Sequence, residues 1–218
     1  MVGYDTLPIE GKKLLVFGPQ ALSLDAAASS ALQSTIMKIR NKEWICNAIA
    51  DLPSCWETFV DEFPRYKVFP GAQTLTKLTE WLKTGNLEHQ LPHLPNIILS
   101  PLVIISHITE YLNYLDTASG KSQTQEPPTE ILGFCMGFLS ALAVAVSKNG
   151  SELETYGATA IRLAMLIGGV VDAQEMLDSQ GPAKSFATAW NSPTAAAEME
   201  RILKGFPEVW KLILSVYK

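Results

Sequence analysis

Apolar and polar positions follow one another along the chain in a pattern that predicts short buried strands separated by helices. Lys13–Phe17 (KLLVF) is a short apolar run that ends at Gly18-Pro19, as expected of a buried strand followed by a turn. Glu130–Phe134 is a second such run, and it follows a polar, proline-containing loop at 117–129. Strands that alternate with helical segments favour an α/β domain with a parallel sheet.

Helical spacing of apolar residues predicts the remaining segments. Predicted helices span 24–40, 44–59 with an interruption near Pro53, the region around Leu75–Leu82 with a stop at Gly85, and 102–115 with Pro101 in the first turn. Later helices run from the cysteine after the second strand to about Lys148, from a Ser151/Glu154 capping box to about Leu177, and over Ala195–Lys204. The tail at 206–218 is predicted to be the start of an unfinished strand.

Composition and charge exclude several classes of protein. Hydrophobic residues make up 47% of the 218 positions and charged residues 18%, which is an ordinary globular composition. A net charge of -5 argues against nonspecific nucleic-acid binding. No signal peptide is evident, and no apolar run reaches the ~18 residues of a membrane span. Three cysteines (46, 55 and 135) at unrelated spacings suit reduced thiols, so we expect a cytoplasmic protein.

The stretch GFCMG, Gly133–Gly137, places a cysteine between two glycines where the second strand passes into a helix. A nucleophile on such a sharp turn needs small neighbours, because backbone segments approach closely there. The helix N-terminus then favours a thiolate and stabilises a developing oxyanion. We therefore predict Cys135 as a nucleophile that forms a thioester, with the N–H of Met136 as one oxyanion donor. A buried cysteine in a glycine-containing turn remains the alternative.

The chain resembles the starter-unit acyltransferase domain of fungal non-reducing polyketide synthases. The resemblance rests on LLVFGPQ, LVIISHITEYLNYL, GFCMG, AIRLAMLIGG and WNSPTAAAEMERILKGFPEVWKLILSVY, in that order. Those domains carry Gly-x-Cys-x-Gly where malonyl acyltransferases carry a serine. The resemblance implies a three-layer, parallel-sheet α/β acyltransferase core, like that of malonyl acyltransferases, over 1–205. It also implies the truncated start of a ferredoxin-like small subdomain over 206–218.

The same resemblance implies a transfer reaction. An acyl starter moves from coenzyme A, or from a fatty acid synthase or partner synthase, to Cys135. It then passes to the phosphopantetheine thiol of an acyl carrier protein. No bound cofactor is expected, because the acyl-CoA or phosphopantetheine thioester is the substrate. The backbone N–H of Gln20 would supply the second oxyanion donor, although Gly18-Pro19-Gln20 stands where the family usually has Gly-Asp-Gln.

One position on a helix after the GFCMG turn predicts which acyl group the protein selects. Malonyl-type acyltransferases pair the substrate carboxylate with an arginine on that helix, and Ile167 occupies the corresponding place in AIRLAMLIGG. An apolar residue there cannot compensate a buried carboxylate. We therefore expect Ile167 in the substrate pocket and a neutral aliphatic acyl group, from acetyl to medium-chain. Arg162, one helical turn or more away, is expected to be a solvated or ion-paired residue.

The histidines do not complete the site. The family's catalytic histidine lies well downstream of the cysteine, whereas His89, His93 and His107 all precede Cys135. The chain is therefore expected to be a fragment of a longer enzyme or a shortened homologue, with an incomplete active site. His107 is expected to be structural. Pro92 prevents a regular helix through the other two histidines, and no Cys or acidic cluster completes a metal site.

Three function classes remain open after this reasoning. They are an acyltransferase, a thioester hydrolase or editing enzyme, and a noncatalytic homologue that docks a carrier protein or a synthase. The expected partner is an acyl carrier protein or a polyketide or fatty acid synthase, with no nucleic acid and no membrane. A truncated sheet edge predicts a dimer or partner contact. The apolar residues of the tail that favour this contact are Trp210, Leu212, Leu214 and Val216.

Overall fold

The computed structural model describes residues 14–19, 26–39, 42–85, 94–119 and 130–177, together with Arg201. The chain divides into two compact units, Met1–Pro182 and Ala183–Lys218, and every described residue except Arg201 belongs to the first. Of the predicted helix 195–204, only Arg201 is described, and it is helical. The predicted tail strand and the boundary between residues 205 and 206 lie outside the described residues and stay predictions.

The two predicted strands form a parallel pair. In this pair, β1 (Leu14–Phe17) lies beside β2 (Glu130–Gly133), with Leu14 opposite Glu130 and Phe17 opposite Gly133. Neighbouring parallel strands require a long crossover connection, and helices occupy the described residues of that connection. The predicted parallel pairing is confirmed, and the described residues are mostly helical with a small sheet, which is compatible with an α/β fold.

Helices account for most of the described residues. In chain order they are α1 (Ala26–Lys38), α2 (Glu43–Ala50), α3 (Leu52–Glu62), a 3-10 helix (Pro64–Val68), α4 (Gly71–Thr84), α5 (Asn96–Ser119), α6 (Gly137–Val146) and α7 (Gly150–Leu177). The predicted interruption near Pro53 is confirmed, because α2 and α3 meet at Asp51 and Pro53 lies in the first turn of α3. The predicted stop at Gly85 is confirmed at the end of α4.

The start of α5 differs from the prediction. The helix begins at Asn96 rather than Leu102, so Pro101 lies inside it and not in its first turn. Its first N–H groups are satisfied by a residue that is distant in sequence. Asp172 on α7 accepts hydrogen bonds from the backbone N–H of Asn96 at 3.0 Å and of Ile97 at 2.8 Å. The helix also extends to Ser119, beyond the predicted end and into the predicted loop.

The N-cap of α7 lies two residues earlier than predicted, at Asn149 rather than Ser151, and the capping pair is different. Asn149 Oδ1 accepts a hydrogen bond from the N–H of Glu152 at 2.9 Å, and Glu152 Oε2 accepts one from the N–H of Lys148 at 2.8 Å. The predicted Ser151/Glu154 capping box is therefore wrong. An asparagine side chain is among the preferred helix N-caps, so Asn149 caps the start of α7.

The core lies between α5 and α7. Along α5, residues 101–109 are all buried, and α7 packs along this helix. Ile161, Ala164 and Met165 of α7 are buried in the same hydrophobic cluster. By length and composition, α7 could cross a membrane, but half of its apolar 18-residue window is buried inside the protein. Packing against α5 therefore accounts for its apolar sequence, as in the core helices of soluble proteins.

Candidate active site

The junction of β2 and α6 is a sharp turn centred on Cys135. The N–H of Phe134 donates to the carbonyl of Phe17 at 2.9 Å, which ties the end of β2 to the end of β1. The N–H of Gly137 then donates to the carbonyl of Phe134 at 2.8 Å, and α6 begins. Cys135 has φ 53°, and it is the non-glycine residue with positive φ in the described part of the chain. Such strain is typical of a nucleophile elbow.

The two glycines of GFCMG lie where backbone segments come into contact. A Cβ on Gly133 would lie 2.6 Å from the carbonyl oxygen of Gly137 and 2.6 Å from the Cα of Phe138. A Cβ on Gly137 would overlap the carbonyl oxygens of Phe17 and Gly18. These positions exclude a side chain, because β2 passes against α6 at the first position and α6 starts against the end of β1 at the second.

The Cys135 side chain is open to the outside, whereas the next residue, Met136, is 8% exposed. Cys135 is exposed, whereas Cys46 and Cys55 are half-buried, and all three thiols are free. Burial raises the pKa of the Cys46 thiol, which disfavours its thiolate. The N–H of Met136, at the start of α6, has no hydrogen-bond acceptor among the described residues. The turn therefore presents an accessible sulfur beside an available backbone donor.

His107 is buried against α6, the helix that follows the Cys135 turn. Its side chain is 2% exposed, and its Nδ1 lies 3.1 Å from the Oγ of Ser140 on α6. The Phe17 ring packs against the imidazole with 5.6 Å between ring centroids. Burial lowers the pKa of His107 from 6.5 to about 4, so the imidazole is neutral at physiological pH. The expectation of a structural, buried histidine agrees with this environment.

Ile167 lies on an exposed apolar stripe of α7. It is 48% exposed, and Leu163 and Val171, one turn before and one turn after it, are also exposed. Arg162 lies on the same helix, and its guanidinium pairs with the carboxylate of Asp51 at 3.1 Å. The expectation of an ion-paired Arg162 is confirmed. The exposed positions around Ile167 are therefore apolar, with the nearby guanidinium held by an acidic partner.

Several predicted residues fall outside the described part of the chain. Gln20, the expected second oxyanion donor, lies there, as do His89 and His93. Among the residues that the structure describes, no group of three or more His, Cys, Asp or Glu side chains could hold a metal ion. The structure therefore brings Gly133, Cys135, Met136 and Gly137 together at the turn, and it places Ile167 separately on α7.

The hydrogen bond between Ser140 and His107 was not predicted from the sequence. Ser140 is fully buried and bonds to His107, and Phe17 links both strands to this contact. A signal was present in the sequence, because Ser140 is the one side chain with a hydroxyl group in the apolar helix GFLSALAVAV. A buried hydroxyl needs a hydrogen-bond partner, but sequence spacing could not identify His107 on another helix as that partner.

Comparison with known proteins places this turn in a family. Residues 56–212 match the family described as "Starter unit:ACP transacylase in aflatoxin biosynthesis". The chain is 55% identical over 206 residues to the non-reducing polyketide synthase pks11 of Talaromyces marneffei, with 94% of this chain and 8% of the synthase covered. It is 41% identical to the non-reducing polyketide synthase pigA of Monascus ruber, with coverage of 96% and 8%. Clavatol synthase claF of Penicillium crustosum is 38% identical, with coverage of 94% and 8%. The chain thus spans about 8% of the length of these relatives.

Proposed function

Because the chain belongs to the starter unit:ACP transacylase family of fungal non-reducing polyketide synthases, we propose that it loads an acyl starter unit onto an acyl carrier protein through an acyl-cysteine intermediate at Cys135. The observation that carries this proposal is the exposed Cys135 thiol at φ 53° on the turn between β2 and α6. A strained, accessible nucleophile at a helix N-terminus is the arrangement that acyl transfer through a covalent intermediate requires.

The proposed reaction has two thioester exchanges. In the first, the Cys135 thiolate attacks the carbonyl carbon of the acyl donor, and the bond to the donor sulfur breaks. The donor leaves as a thiolate, which takes up a proton. In the second, the phosphopantetheine thiolate of the carrier protein attacks acyl-Cys135 and restores the cysteine. Each step passes through an oxyanion, for which the N–H of Met136 and that of Gln20 are the proposed donors. No bound cofactor takes part, since the thioester is the substrate.

The general base is proposed to come from another segment of a longer synthase. His107 is the described histidine, and its buried Nδ1 contacts Ser140 rather than the exposed side of the turn. A thiol acyl transfer normally uses an imidazole as general base. We therefore expect that the chain accepts an acyl group slowly by itself, and that transfer accelerates when the complete synthase supplies its histidine.

The proposed substrate is a neutral aliphatic acyl group, from acetyl to medium-chain. Ile167 and its exposed neighbours Leu163 and Val171 offer an apolar surface and no cation to a substrate carboxylate. Arg162, the described arginine nearest in sequence, is paired with Asp51. A neutral aliphatic acyl group can pack against this apolar surface, whereas a malonyl carboxylate gains no ion pair from it, so a malonyl group is disfavoured.

We also propose that the described core is part of a three-layer, malonyl-acyltransferase-like fold and that the protein is cytoplasmic. The parallel β1–β2 pair followed by a nucleophile turn and a helix supports the first proposal. The reduced state of the thiols supports the second. A carrier-protein or synthase partner follows from the family.

Intact-protein mass spectrometry with acyl donors tests the proposed function. The chain is incubated with acetyl-, hexanoyl-, octanoyl- and malonyl-CoA, beside a Cys135→Ala control and a matched Cys55→Ala control. We expect a mass increase for the neutral acyl groups that Cys135→Ala abolishes and Cys55→Ala retains. Addition of a phosphopantetheinylated acyl carrier protein should then move the acyl mass to the carrier.

The same experiment distinguishes the other two function classes. Loss of the acyl group to water at an equal rate with and without the carrier would identify a thioester hydrolase instead. The absence of an acyl adduct on folded chain, both alone and within the complete synthase, would leave only a docking role and refute the proposal.

A further inference from the structure

A buried polar contact joins α5 to the first turn of α6, the helix that follows Cys135. Ser140 is five residues after Cys135 and fully buried, and its Oγ lies 3.1 Å from the Nδ1 of His107. The imidazole is itself 2% exposed. A hydrogen bond between two groups removed from water is costly to break, because each partner then loses its compensation. This contact therefore fixes the first turns of α6 against α5.

Phe17 connects this contact to the strand side of the turn. Its carbonyl accepts the hydrogen bond from the N–H of Phe134, at 2.9 Å. Its ring packs against His107, with 5.6 Å between centroids, and against Tyr111, with 6.4 Å. Phe17 thus binds the backbone that enters the turn through its carbonyl. Its ring also contacts His107, whose hydrogen bond to Ser140 holds α6. The segments on both sides of Cys135 rest on one group of buried side chains.

The conformation of Cys135 gives this support a role in the chemistry. A non-glycine residue at φ 53° carries strain, typically about 1–3 kcal/mol, and keeps that conformation only where its surroundings enforce it. The helix that follows has only 10 residues, so its own hydrogen bonds hold its position weakly. Contacts that fix the start of α6 also fix where the sulfur and the N–H of Met136 stand relative to an acyl carbonyl.

We propose that His107 is a positioning residue for Cys135, acting through its hydrogen bond to Ser140; this inference rests on the proposed acyl-cysteine chemistry. His107 touches neither the thiol nor the substrate in this role. It holds α6 in the position that keeps Cys135 at positive φ and its sulfur aligned with an acyl carbonyl. Because burial keeps the imidazole neutral at physiological pH, it offers one hydrogen-bonding nitrogen to Ser140 without placing an uncompensated charge beneath the site.

The test measures the reactivity of Cys135 toward iodoacetamide, with peptide mapping by mass spectrometry to separate it from Cys46 and Cys55. Four variants are compared with the wild type: Ser140→Ala, His107→Leu, the double variant, and His107→Asn. The asparagine amide can occupy the position of Nδ1 and restore the hydrogen bond. The alkylation rates of Cys46 and Cys55 in the same sample serve as internal controls for global unfolding.

We expect Ser140→Ala and His107→Leu each to slow the alkylation of Cys135 by about tenfold, the size expected for the loss of one buried hydrogen bond. The double variant should be no slower than the slower single variant, because both remove the same contact. His107→Asn should lie within about twofold of the wild type. If His107→Leu does not fold, Ser140→Ala and His107→Asn carry the same comparison, since each is a smaller change.

An unchanged Cys135 rate in folded Ser140→Ala would overturn the proposal, as would effects of the two single variants that add in the double variant. His107→Asn as slow as His107→Leu would also overturn it where both fold. Alkylation requires no acyl donor. A chain that is never acylated but shows these rates would therefore refute the proposed function alone, and a chain that is acylated at equal rates in all variants would refute only the positioning role.

Discussion

Asp172 makes a long-range contact that joins α7 to the start of α5, and its removal should destabilise the protein strongly. Its carboxylate accepts three hydrogen bonds at the start of α5: from the N–H of Asn96 at 3.0 Å, from the Asn96 side chain at 2.9 Å, and from the N–H of Ile97 at 2.8 Å. Asp172 is 7% exposed and Ile97 is fully buried. This carboxylate acts as a helix N-cap that comes from another helix, and its charge favours the positive end of α5.

The magnitude follows from the groups that lose their partner. In Asp172→Ala the N–H of Ile97 remains buried without an acceptor, which costs about 1–3 kcal/mol. The N–H of Asn96 is partly accessible to water and loses less, and a lost N-cap typically costs about 1 kcal/mol. We therefore expect Asp172→Ala to lower the free energy of unfolding by about 2–4 kcal/mol. Asp172→Asn keeps one acceptor oxygen and should lose roughly half as much.

Equilibrium unfolding in urea measures this difference, with tryptophan fluorescence and circular dichroism as independent probes. Asp116→Ala is the matched control, because it removes an exposed carboxylate from the last turns of α5 and should change stability by no more than about 0.5 kcal/mol. Hydrogen exchange at the Ile97 amide should accelerate in Asp172→Ala. A free energy of unfolding within about 0.5 kcal/mol of the wild type, with the same slope, would refute the assignment of this carboxylate as the cap of α5.

Three further predictions concern the elbow and its surroundings. Gly137→Ala should lower the free energy of unfolding by about 2–4 kcal/mol, because the added Cβ overlaps the carbonyls of Phe17 and Gly18. Thermal unfolding measures this effect, with Gly150→Ala as the control, because a Cβ at Gly150 meets open space. Stability should fall by about 2 kcal/mol between pH 7 and pH 5 on account of His107, whose pKa is about 4 when folded and 6.5 when unfolded. The unfolded chain binds this proton first, so the stability present above pH 6.5 is lost as the pH falls toward 4. In urea unfolding at both pH values, His107→Leu should lack this part of the decrease. An identical decrease in the wild type and in His107→Leu would contradict the buried neutral imidazole. Ile167→Arg should raise the ratio of malonyl to hexanoyl adduct on Cys135 by about tenfold or more, measured by intact mass, whereas Tyr156→Arg on an exposed position of the same helix should leave the ratio unchanged.

The order of the elements and the reactive turn could be predicted from the sequence. The spacing of apolar residues and the positions of Gly and Pro predicted both strands, the break near Pro53 and the end of α4 at Gly85. These features depend on neighbouring residues. GFCMG identified the strand-to-helix turn for the same reason. The glycines are needed wherever backbone segments approach this closely, whatever the rest of the fold.

Features that depend on distant residues were predicted wrongly or not at all. The start of α5 was placed at Leu102 because Pro101 resembles a first-turn proline, whereas the carboxylate of Asp172 supports an earlier start at Asn96. The cap of α7 was also predicted wrongly, although it depends on neighbouring residues. Asn149 and Glu152 form the capping pair instead of Ser151 and Glu154.

The apolar periodicity, the two strands and the cysteine between two glycines could be predicted from the sequence, since each depends on residues that are close together along the chain. The exposure of Cys135 at φ 53° and the hydrogen bond between the buried His107 and Ser140 could be learned from the tertiary structure alone. The physical reason is that a side chain's exposure and hydrogen-bond partner are set by which helices pack together. Here α5, α6 and β1 meet at the turn although up to 123 residues separate Phe17 from Ser140.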